Sequence, residues 1–456
     1  MKRYSYILIC LILGCTVFPG CDKYLDIKPK GRTTLSTVTD YDQWLNDPYL
    51  GMGFGSPYGW TNYFTDQVDF VNITTPPTTP TDLTYVWGLQ FSSDLNSPPL
   101  LWSEHYAKIN QYNSVLIGID EATGGTESQK KSLKGEALLG RALEYFYLVN
   151  EYGKPYDSTT VNQDLAVPFV TSNDVTQKVP PRSTINEIYK HIIEDVNAAI
   201  PNLPLDNTAN RFRGSLAAGY SVLARVYFYT GNYAEARRYA ELALANTKAV
   251  MLNFNGTLPT SPSITNRVDV IYGRYVVGNF PASLEFMRTF STDDLRVKKL
   301  YRNSDNYTFI TRGATAFIPL QVTSSLQNVN TGTSVQEMRL IIAEVAARTN
   351  ALSVALQQLD EIRKNRIATA TYVPYQSSDQ QTVLQEVFLE RNLELAFTGL
   401  RWFDMRRLDK ENRMGTVYRY DARGNVIATL PPHSNRYTLQ IPVQVLSFNP
   451  GMQQNP

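Results

Sequence analysis

Residues 223–240 read LARVYFYTGNYAEARRYA, and this stretch predicts two helices joined by a tight turn. The turn is Thr230-Gly231-Asn232, in which a glycine lies between two polar residues. Small side chains at Ala224 and Ala236 would let the two helices approach each other closely. The stretch therefore favours a hairpin of two packed helices.

A second stretch, from Ser334 to Arg366, repeats this arrangement around a turn at Thr349-Asn350. Ser334 and Glu337 have the spacing of a capping box, which would start the first helix. The apolar residues follow the i, i+3, i+4, i+7 spacing of amphipathic helices, at Met338, Ile341, Ile342 and Val345 and then at Leu352, Ala355, Leu356, Leu359 and Ile362. Two such copies match the tetratricopeptide pattern.

Weaker helical patterns extend the repeat on both sides. Thr184 and Glu187 have the capping-box spacing at the start of one of these helices, and Pro201 ends it. The additional helices are expected at about residues 102–116, 135–152, 185–200 and 382–407. We therefore expect an all-α fold, a tetratricopeptide-like solenoid of about four helix pairs at about residues 102–250 and 334–407.

Two regions lack a helical period, and we define them together as the loop lobe: residues 46–100 and 250–332. The first is rich in Gly, Pro, Thr and Asn, and both contain scattered aromatic residues. Irregular segments of this length are uncommon in compact domains and are often functional. The tail from residue 437 to 456 is also aperiodic. No linker divides the chain, so residues 21–456 are expected to form one domain.

All three cysteines lie within the first 21 residues, which form a basic start, a short apolar run and a cysteine junction. The run from Ile7 to Leu13 is too short to span a bilayer, which takes about 20 residues. It suits the signal of a secreted lipoprotein, with residues 1–20 removed and Cys21 acylated. Cys15 is a rival junction, but the polar segment begins only after Cys21. Either junction argues against disulfides and cysteine metal sites.

The remaining composition excludes several classes of function. Lys plus Arg is 43 and Asp plus Glu is 42, so no basic surface is expected to attract nucleic acid. The Gly51-x-Gly53-x-Gly55 string lacks the strand and helix of a nucleotide-binding loop. The three histidines lack metal-ligand spacing: His105, His191 and His433. We therefore expect no cofactor and no catalytic metal.

Four segments of the chain resemble the SusD/RagB family of outer-membrane nutrient-binding lipoproteins. They are CDKYLDIKPKG at residues 21–31, KGEALLGRALEYFYLVNEYGKP at 134–155, ERNLELAFTGLRWFDMRR at 390–407, and the Ile441-Pro442 to Pro456 terminus. The four segments span nearly the whole chain and follow one another in the same order as in the family. Phe18-Pro19 is an unusual approach to a lipidated cysteine, and the loops are rather short for the family.

The resemblance implies a body of four tetratricopeptide-like helix pairs with an irregular lobe laid across it. It also implies an acylated protein on the outer face of the outer membrane that acts as a lid on a SusC-like TonB-dependent transporter. Members capture oligosaccharides or, less often, peptides. The loops hold the ligand site, so the substrate class does not carry over.

Sugars bind by stacking on aromatic rings while planar polar side chains hydrogen-bond their hydroxyls. Loop aromatics with polar neighbours are therefore the candidate ligand-binding residues. We expect a site built from Trp60, Asn62, Tyr63, Asp66 and Trp87, with Tyr275 and Tyr301 as further candidates. The alternative is that these aromatics only fix the loops to the helical body.

Two other functions remain open from the sequence. Paired acids such as Asp66 with Asp69, or Asp293 with Asp294, could serve a glycoside hydrolase. Tetratricopeptide repeats could instead form a scaffold that holds peptides or proteins in a concave groove. The charged cluster at residues 390–407 is interpreted as structural arginines with i, i+4 ion pairs, and no catalytic residue is assigned.

Overall fold

The computed structural model describes residues 35–53, 59–70, 73–258, 264–277, 281–309, 314–319, 328–421 and 423–456, with residues 277, 302–309, 314–319 and 328 described by backbone alone. The expected signal peptide and Cys21 lie outside the described residues. Among the described residues, no helix is both long enough and apolar enough to cross a membrane.

Helices dominate the architecture, which is all-α and tetratricopeptide-like. The α-helices are α1 (Val38–Leu45), α2 (Pro80–Tyr85), α3 (Trp102–Gly118), α4 (Glu127–Tyr152), α5 (Ile185–Ala199), α6 (Leu216–Tyr229), α7 (Tyr233–Asn246), α8 (Leu284–Met287), α9 (Leu295–Leu300), α10 (Val335–Arg348), α11 (Leu352–Arg363), α12 (Gln380–Glu394), α13 (Leu400–Lys410) and α14 (Val443–Phe448).

The predicted helix hairpins are confirmed. Residues 230–232 join α6 to α7, and residues 349–351 join α10 to α11. Ala224 and Ala236 have no exposed surface, so the small positions do bring the helices of the first hairpin together. Helix α7 packs on α10, which packs in turn on α12. The two hairpins therefore share one core.

One predicted capping box is complete and the other is half formed. The Thr184 hydroxyl accepts from the Glu187 backbone N–H at 3.2 Å, and the Glu187 carboxylate accepts from the Thr184 N–H at 2.8 Å. At α10 the Ser334 hydroxyl accepts from the Glu337 N–H at 3.3 Å. The Glu337 carboxylate, however, pairs with Arg225. An ion pair between helices thus replaces the second half of that box.

The last predicted helical stretch, residues 382–407, is two helices rather than one. Phe397 has φ 61° and Gly399 has φ 80°, so the backbone turns through the left-handed region between α12 and α13. Glycine adopts that conformation without steric cost, whereas phenylalanine does so only when its surroundings hold it there. The apolar period continues across this break, which is why the sequence pattern did not reveal it.

Short strands outside the helices form antiparallel pairs. The pairs are β1 (Leu165–Pro168) with β2 (Arg182–Thr184), β3 (Val270–Tyr272) with β8 (Thr333–Ser334), β4 (Tyr275–Val277) with β7 (Asn328–Asn330), β5 (Tyr301–Phe309) with β6 (Ala314–Pro319), and β9 (Val417–Tyr420) with β10 (Val426–Leu430). The loop-lobe regions thus contain short regular elements, α2, α8, α9 and β3 to β7. Most of these are too short to show a period in the sequence.

Candidate functional site

Trp60 and Tyr63 lie on a 3₁₀ helix that spans Trp60–Phe64. Both side chains are half-buried, and their ring centroids are 6.2 Å apart. Tyr63 also makes an edge contact with Phe70 at 6.0 Å. Because both rings keep some exposed surface, a stacking role for them stays a prediction.

Asn62 and Asp66 tie this segment to the helical body. Asn62 is fully buried; its amide nitrogen donates to the Phe397 carbonyl at 2.8 Å and its amide oxygen accepts from the Gly399 N–H at 2.9 Å. Asp66 accepts two hydrogen bonds from Arg401, at 2.8 and 2.6 Å. Burial opposes ionisation of Asp66, but Arg401 outweighs it and lowers the pKa of that carboxyl. A ligand contact by either residue remains a prediction.

Trp87 and Tyr301 are packed inside the protein. Trp87 is 3% exposed; its indole N–H donates to the Phe64 carbonyl at 2.9 Å, and the Arg419 guanidinium lies 4.2 Å from its ring. Tyr301 is 6% exposed and contacts Phe290 at 5.7 Å between ring centroids. Neighbouring side chains cover most of both rings, although Trp87 also lines a second cavity of about 340 Å³, so a stacking role for either residue stays a prediction.

Tyr275 lies elsewhere, in the wall of a cavity of about 430 Å³. Its side chain is half-buried, and its hydroxyl has no hydrogen-bond partner among the described residues. The ring is 5.7 Å from that of Phe212, at an interplanar angle of 56°. The other described residues that line it are Leu45, Asn46, Asp47, Pro48, Leu50, Gly51, Tyr112, Glu136, Asn210, Arg213, Gly214, Thr265 and Tyr272. This cavity is the candidate site.

Backbone packing positions the aromatic wall of this cavity. The Gly53 N–H donates to the Tyr275 carbonyl at 2.7 Å, which joins the turn after α1 to β4. A Cβ atom on Gly51 would lie 3.2 Å from the Phe212 ring and 3.4 Å from the Tyr275 ring. Glycine at position 51 therefore lets both aromatic rings pack against this turn.

Arg213 holds the polar wall together. Its guanidinium donates two hydrogen bonds to Glu136, at 2.6 and 2.8 Å. It also donates to Asp42 at 2.8 Å and to the Asn46 amide oxygen at 3.0 Å. One side chain thus joins three parts of the protein: α1, α4 and the loop that precedes α6. Because these acceptors occupy the guanidinium, Arg213 has little capacity left for a ligand.

The floor of the cavity carries two tyrosines from different parts of the chain. Tyr112 on α3 and Tyr272 on β3 are 3% and 2% exposed. Both hydroxyl oxygens accept hydrogen bonds from the buried Arg274, at 3.2 and 2.6 Å. Burial raises the pKa of both tyrosines, so both hydroxyls keep their protons at neutral pH.

A buried charge cluster lies beside this floor. His105 Nδ1 is 2.6 Å from Glu144 and His105 Nε2 is 3.4 Å from Glu151. Burial alone would lower the pKa of His105, but Glu151 and Glu144 raise it to about 9. Burial lowers the pKa of Lys108 to about 8, and its ammonium donates to the Met52 carbonyl. Lys108 therefore anchors the backbone beside the cavity turn.

The paired acids proposed for hydrolysis have structural partners. Asp69 accepts from the Tyr85 hydroxyl at 2.7 Å, and Asp66 is held by Arg401. Asp294 pairs with Arg296 at 2.7 Å, and Asp293 accepts from the Thr371 hydroxyl at 2.6 Å.

The arginines of residues 390–407 also have structural partners, but not at the expected i, i+4 spacing. Arg391 pairs with Asp404 at 2.8 Å and Arg407 with Glu344 at 2.6 Å. Arg406 donates to the carbonyls of Asn150 and Gly153. These contacts join α13 to α12, α10 and α4, so the structural interpretation is confirmed while the assigned spacing is wrong.

Sequence reasoning missed most of this cavity. Phe212 lies in the segment NRFRG at residues 210–214, where an aromatic side chain stands among polar ones between two predicted helices. That is the signal used for Trp60, and it could have found Phe212. Tyr112 and Tyr272 lie within regular elements, so nothing local distinguishes them from core residues.

Two family models match this chain, one towards its N-terminus and one at its C-terminus. A SusD-like family model, described as starch-binding associating with outer membrane, matches residues 23–228. The SusD family model matches residues 301–456. A SusD-like protein from Bacteroides ovatus is 30% identical over 28% of this chain and 21% of its own length. SusD-like protein P38 from Formosa agariphila is 21% identical over 90% of this chain and 93% of its own length.

Solved structures share the fold over almost the whole chain. A SusD superfamily protein from Bacteroides thetaiotaomicron has a TM-score of 0.75 at 21% identity, with 92% of this chain and all of that chain covered. A SusD-like carbohydrate binding protein from Bacteroides vulgatus has a TM-score of 0.69 at 19% identity, with 91% and 97% covered.

Proposed function

The chain belongs to the SusD/RagB family, and we propose that it captures oligosaccharides at the cell surface and delivers them to a SusC-like TonB-dependent transporter. The observation that supports this best is the 430 Å³ cavity, in which Phe212 and Tyr275 stand beside Asn46 and Asn210. Aromatic faces and planar amides are the groups that sugars require. The carbohydrate-binding description of the Bacteroides vulgatus relative agrees with this ligand class.

The proposal includes a location. Residues 1–20 act as a lipoprotein signal, Cys21 carries the acyl chains, and residues 21–456 form one nutrient-binding domain that faces outward from the outer membrane. The family description that refers to the outer membrane supports this placement. Mass spectrometry of membrane-extracted protein should find Cys21 N-terminal and acylated. Retention of Met1, or recovery of all the protein from the cytosol, would contradict the location.

The proposed activity is binding without catalysis. Asp66 and Asp294 are each engaged by an arginine, so neither is poised as a general acid. A glycan panel incubated with the purified chain should therefore be recovered intact while some members bind. Release of shortened products would support a glycoside hydrolase instead. Binding of peptides but of no glycan would favour the peptide-binding alternative.

The proposed association with a SusC-like transporter is tested by pull-down from solubilised outer membranes, with this protein as bait. Co-purification of a large β-barrel transporter is expected. A Cys21→Ser variant is the matched control, because it keeps the folded domain but loses the anchor that brings it to the transporter. Recovery of only other surface proteins would favour a tetratricopeptide scaffold.

A further inference from the structure

Arg274 is a buried cation without a carboxylate in contact. It is 1% exposed, and no Asp or Glu among the described residues lies within ion-pair distance. The nearest acidic influence is Glu144, which His105 already engages at 2.6 Å. Arg211, 3% exposed on a neighbouring segment, likewise forms no ion pair with a described residue. Buried charges are normally paired with an opposite charge in contact, and Arg274 has no such partner among the described residues.

The partners of Arg274 distinguish it from other buried arginines. Arg406 and Arg419 also lack a carboxylate, but within the described part of the chain they donate to backbone carbonyls. One terminal nitrogen of Arg274 donates to the carbonyls of Gly273 and Phe212, whereas the other donates to the hydroxyls of Tyr272 and Tyr112. A hydroxyl that accepts a hydrogen bond still has its own proton to donate. Neither tyrosine hydroxyl donates to any described residue, and both tyrosines line the cavity.

Resting on the proposed function, we propose that Tyr112 and Tyr272 donate their hydroxyl protons to a carboxylate of the bound glycan, so that the cavity selects acidic sugars such as uronic acids. The buried guanidinium polarises both hydroxyls, and the ligand carboxylate supplies the counter-charge that Arg274 lacks, which a neutral sugar hydroxyl could not do. Hydrogen bonds to a charged group are about twice as strong as neutral ones.

The rest of the cavity agrees with a sugar acid bound by its carboxylate at the floor. Arg213 is saturated by Glu136 and Asp42, so the wall does not compete for the carboxylate. Asn46, Asn210 and Asp47 add polar groups to the lining of the cavity. Its volume lies within the range of about 300–1,000 Å³ of small-molecule sites.

The test compares acidic oligosaccharides from polygalacturonate, alginate and glucuronan, each beside its carboxyl-reduced counterpart, by calorimetry on the purified chain. The wild type should bind at least one acidic member at least ten-fold more tightly than its reduced counterpart. In the Tyr112→Phe/Tyr272→Phe variant that preference should fall at least ten-fold, with reduced glycans little affected. Tyr227→Phe on α6, at a residue that does not line the cavity, should change neither affinity.

Other outcomes overturn the inference in distinguishable ways. Equal or tighter binding of the reduced glycans, or an equal loss for both members of a pair, would refute the carboxylate subsite and leave oligosaccharide binding intact. If no glycan of either kind binds the wild type, the proposed function fails and this inference fails with it. Thermal unfolding of each variant separates a loss of affinity from a loss of fold.

Discussion

The side-chain amide of Asn62 donates a hydrogen bond to the main-chain carbonyl of Phe397 at 2.8 Å, although the two residues are 335 positions apart. The same amide accepts from the Gly399 N–H, so one side chain satisfies both sides of the break between α12 and α13. A buried backbone group without a partner is costly. The left-handed turn at residues 397–399 is therefore stabilised by a residue that the sequence suggested as a ligand contact.

Asn62→Ala should destabilise the protein, because it leaves the Phe397 carbonyl and the Gly399 N–H unpaired in the interior. We expect a loss of about 2–4 kcal/mol in the free energy of unfolding, measured by denaturant titration. Asn246→Ala is the matched control, since Asn246 is exposed and bonds only within its own helix. Wild-type stability of Asn62→Ala would refute the structural role.

The ion pair of Arg225 with Glu337 should stabilise the packing of α6 on α10. Both side chains are buried, and the shortest contact is 2.6 Å. Glu337→Gln should cost about 3–5 kcal/mol, because it leaves the Arg225 charge buried without its partner. Glu235→Gln breaks an exposed pair with Arg238 and should cost less than about 1 kcal/mol. Equal losses in the two variants would contradict this account.

His105 should make stability depend on pH. Its pKa is raised to about 9 in the folded protein, against 6.5 for the ordinary side chain, because Glu151 and Glu144 outweigh the effect of burial. The folded state therefore holds the proton more tightly. The stabilisation is complete below pH 6.5 and is lost as the pH rises through about 9.

The useful window is pH 6.5–8, because the lowered pKa of Lys108 acts in the opposite direction above about 8. There the free energy of unfolding should fall by up to roughly 1 kcal/mol per pH unit in the wild type. His105→Gln should remove most of that slope, whereas His433→Gln, at an exposed site, should not. If the free energy of unfolding varies with pH in the same way for His105→Gln and the wild type, this assignment is ruled out.

The sequence was most informative where structure is local. The turn at Thr230-Gly231-Asn232 and the Thr184 cap depend on neighbouring residues, and both were predicted. The division between α12 and α13 was not, because it depends on Asn62. Phe397 and Gly399 lie inside a helical pattern, and side chains distant in sequence, those of Asn62 and Gln67, bond to the backbone at the break.

The residues of the candidate site also fall into two groups, those recognisable from the local sequence and those that only tertiary packing brings together. Tyr275, an aromatic residue beside an arginine in an irregular region, is a candidate from the sequence and lines the cavity, while its contact with a ligand stays a prediction. Arg274, Tyr112 and Tyr272 meet only through the packing of β3 and α3, and no spacing within one segment encodes that contact. Trp87 was selected by the same local rule as Tyr275, yet Arg419 and Phe64 cover it. Composition identifies aromatic residues, but tertiary packing decides which of them reach solvent.

Gly140 on α4 should be required for the position of Tyr112. A Cβ atom at position 140 would overlap the buried Tyr112 ring, which would have to shift. Gly140→Ala should therefore destabilise the protein by about 1–3 kcal/mol, despite the better helix propensity of alanine. Gly415→Ala meets no atom within 4 Å and should be neutral or slightly stabilising. Equal stability of the two variants would show that α3 and α4 can separate without cost.

The last prediction asks which aromatic group stacks on the glycan. Phe212 and Tyr275 line the cavity, whereas Trp60 and Tyr63 form a separate half-buried pair and Trp87 is covered. Phe212→Ala and Tyr275→Ala should each weaken binding of a glycan ligand by about 1 kcal/mol or more, because an aromatic contact of that size is lost. Both residues are partly exposed, so thermal stability should change little.

Trp87→Ala should show the reverse pattern, a lower melting temperature because the ring fills the core beside Phe64 and Arg419. Trp60→Ala separates the two sites, since its ring is not part of the cavity. Loss of affinity in Trp60→Ala at unchanged stability, with Tyr275→Ala binding normally, would transfer the site to the Trp60 and Tyr63 pair. Unchanged affinity in Trp60→Ala together with loss in Tyr275→Ala would assign stacking to the cavity, because only the rings that line it would then contribute to binding.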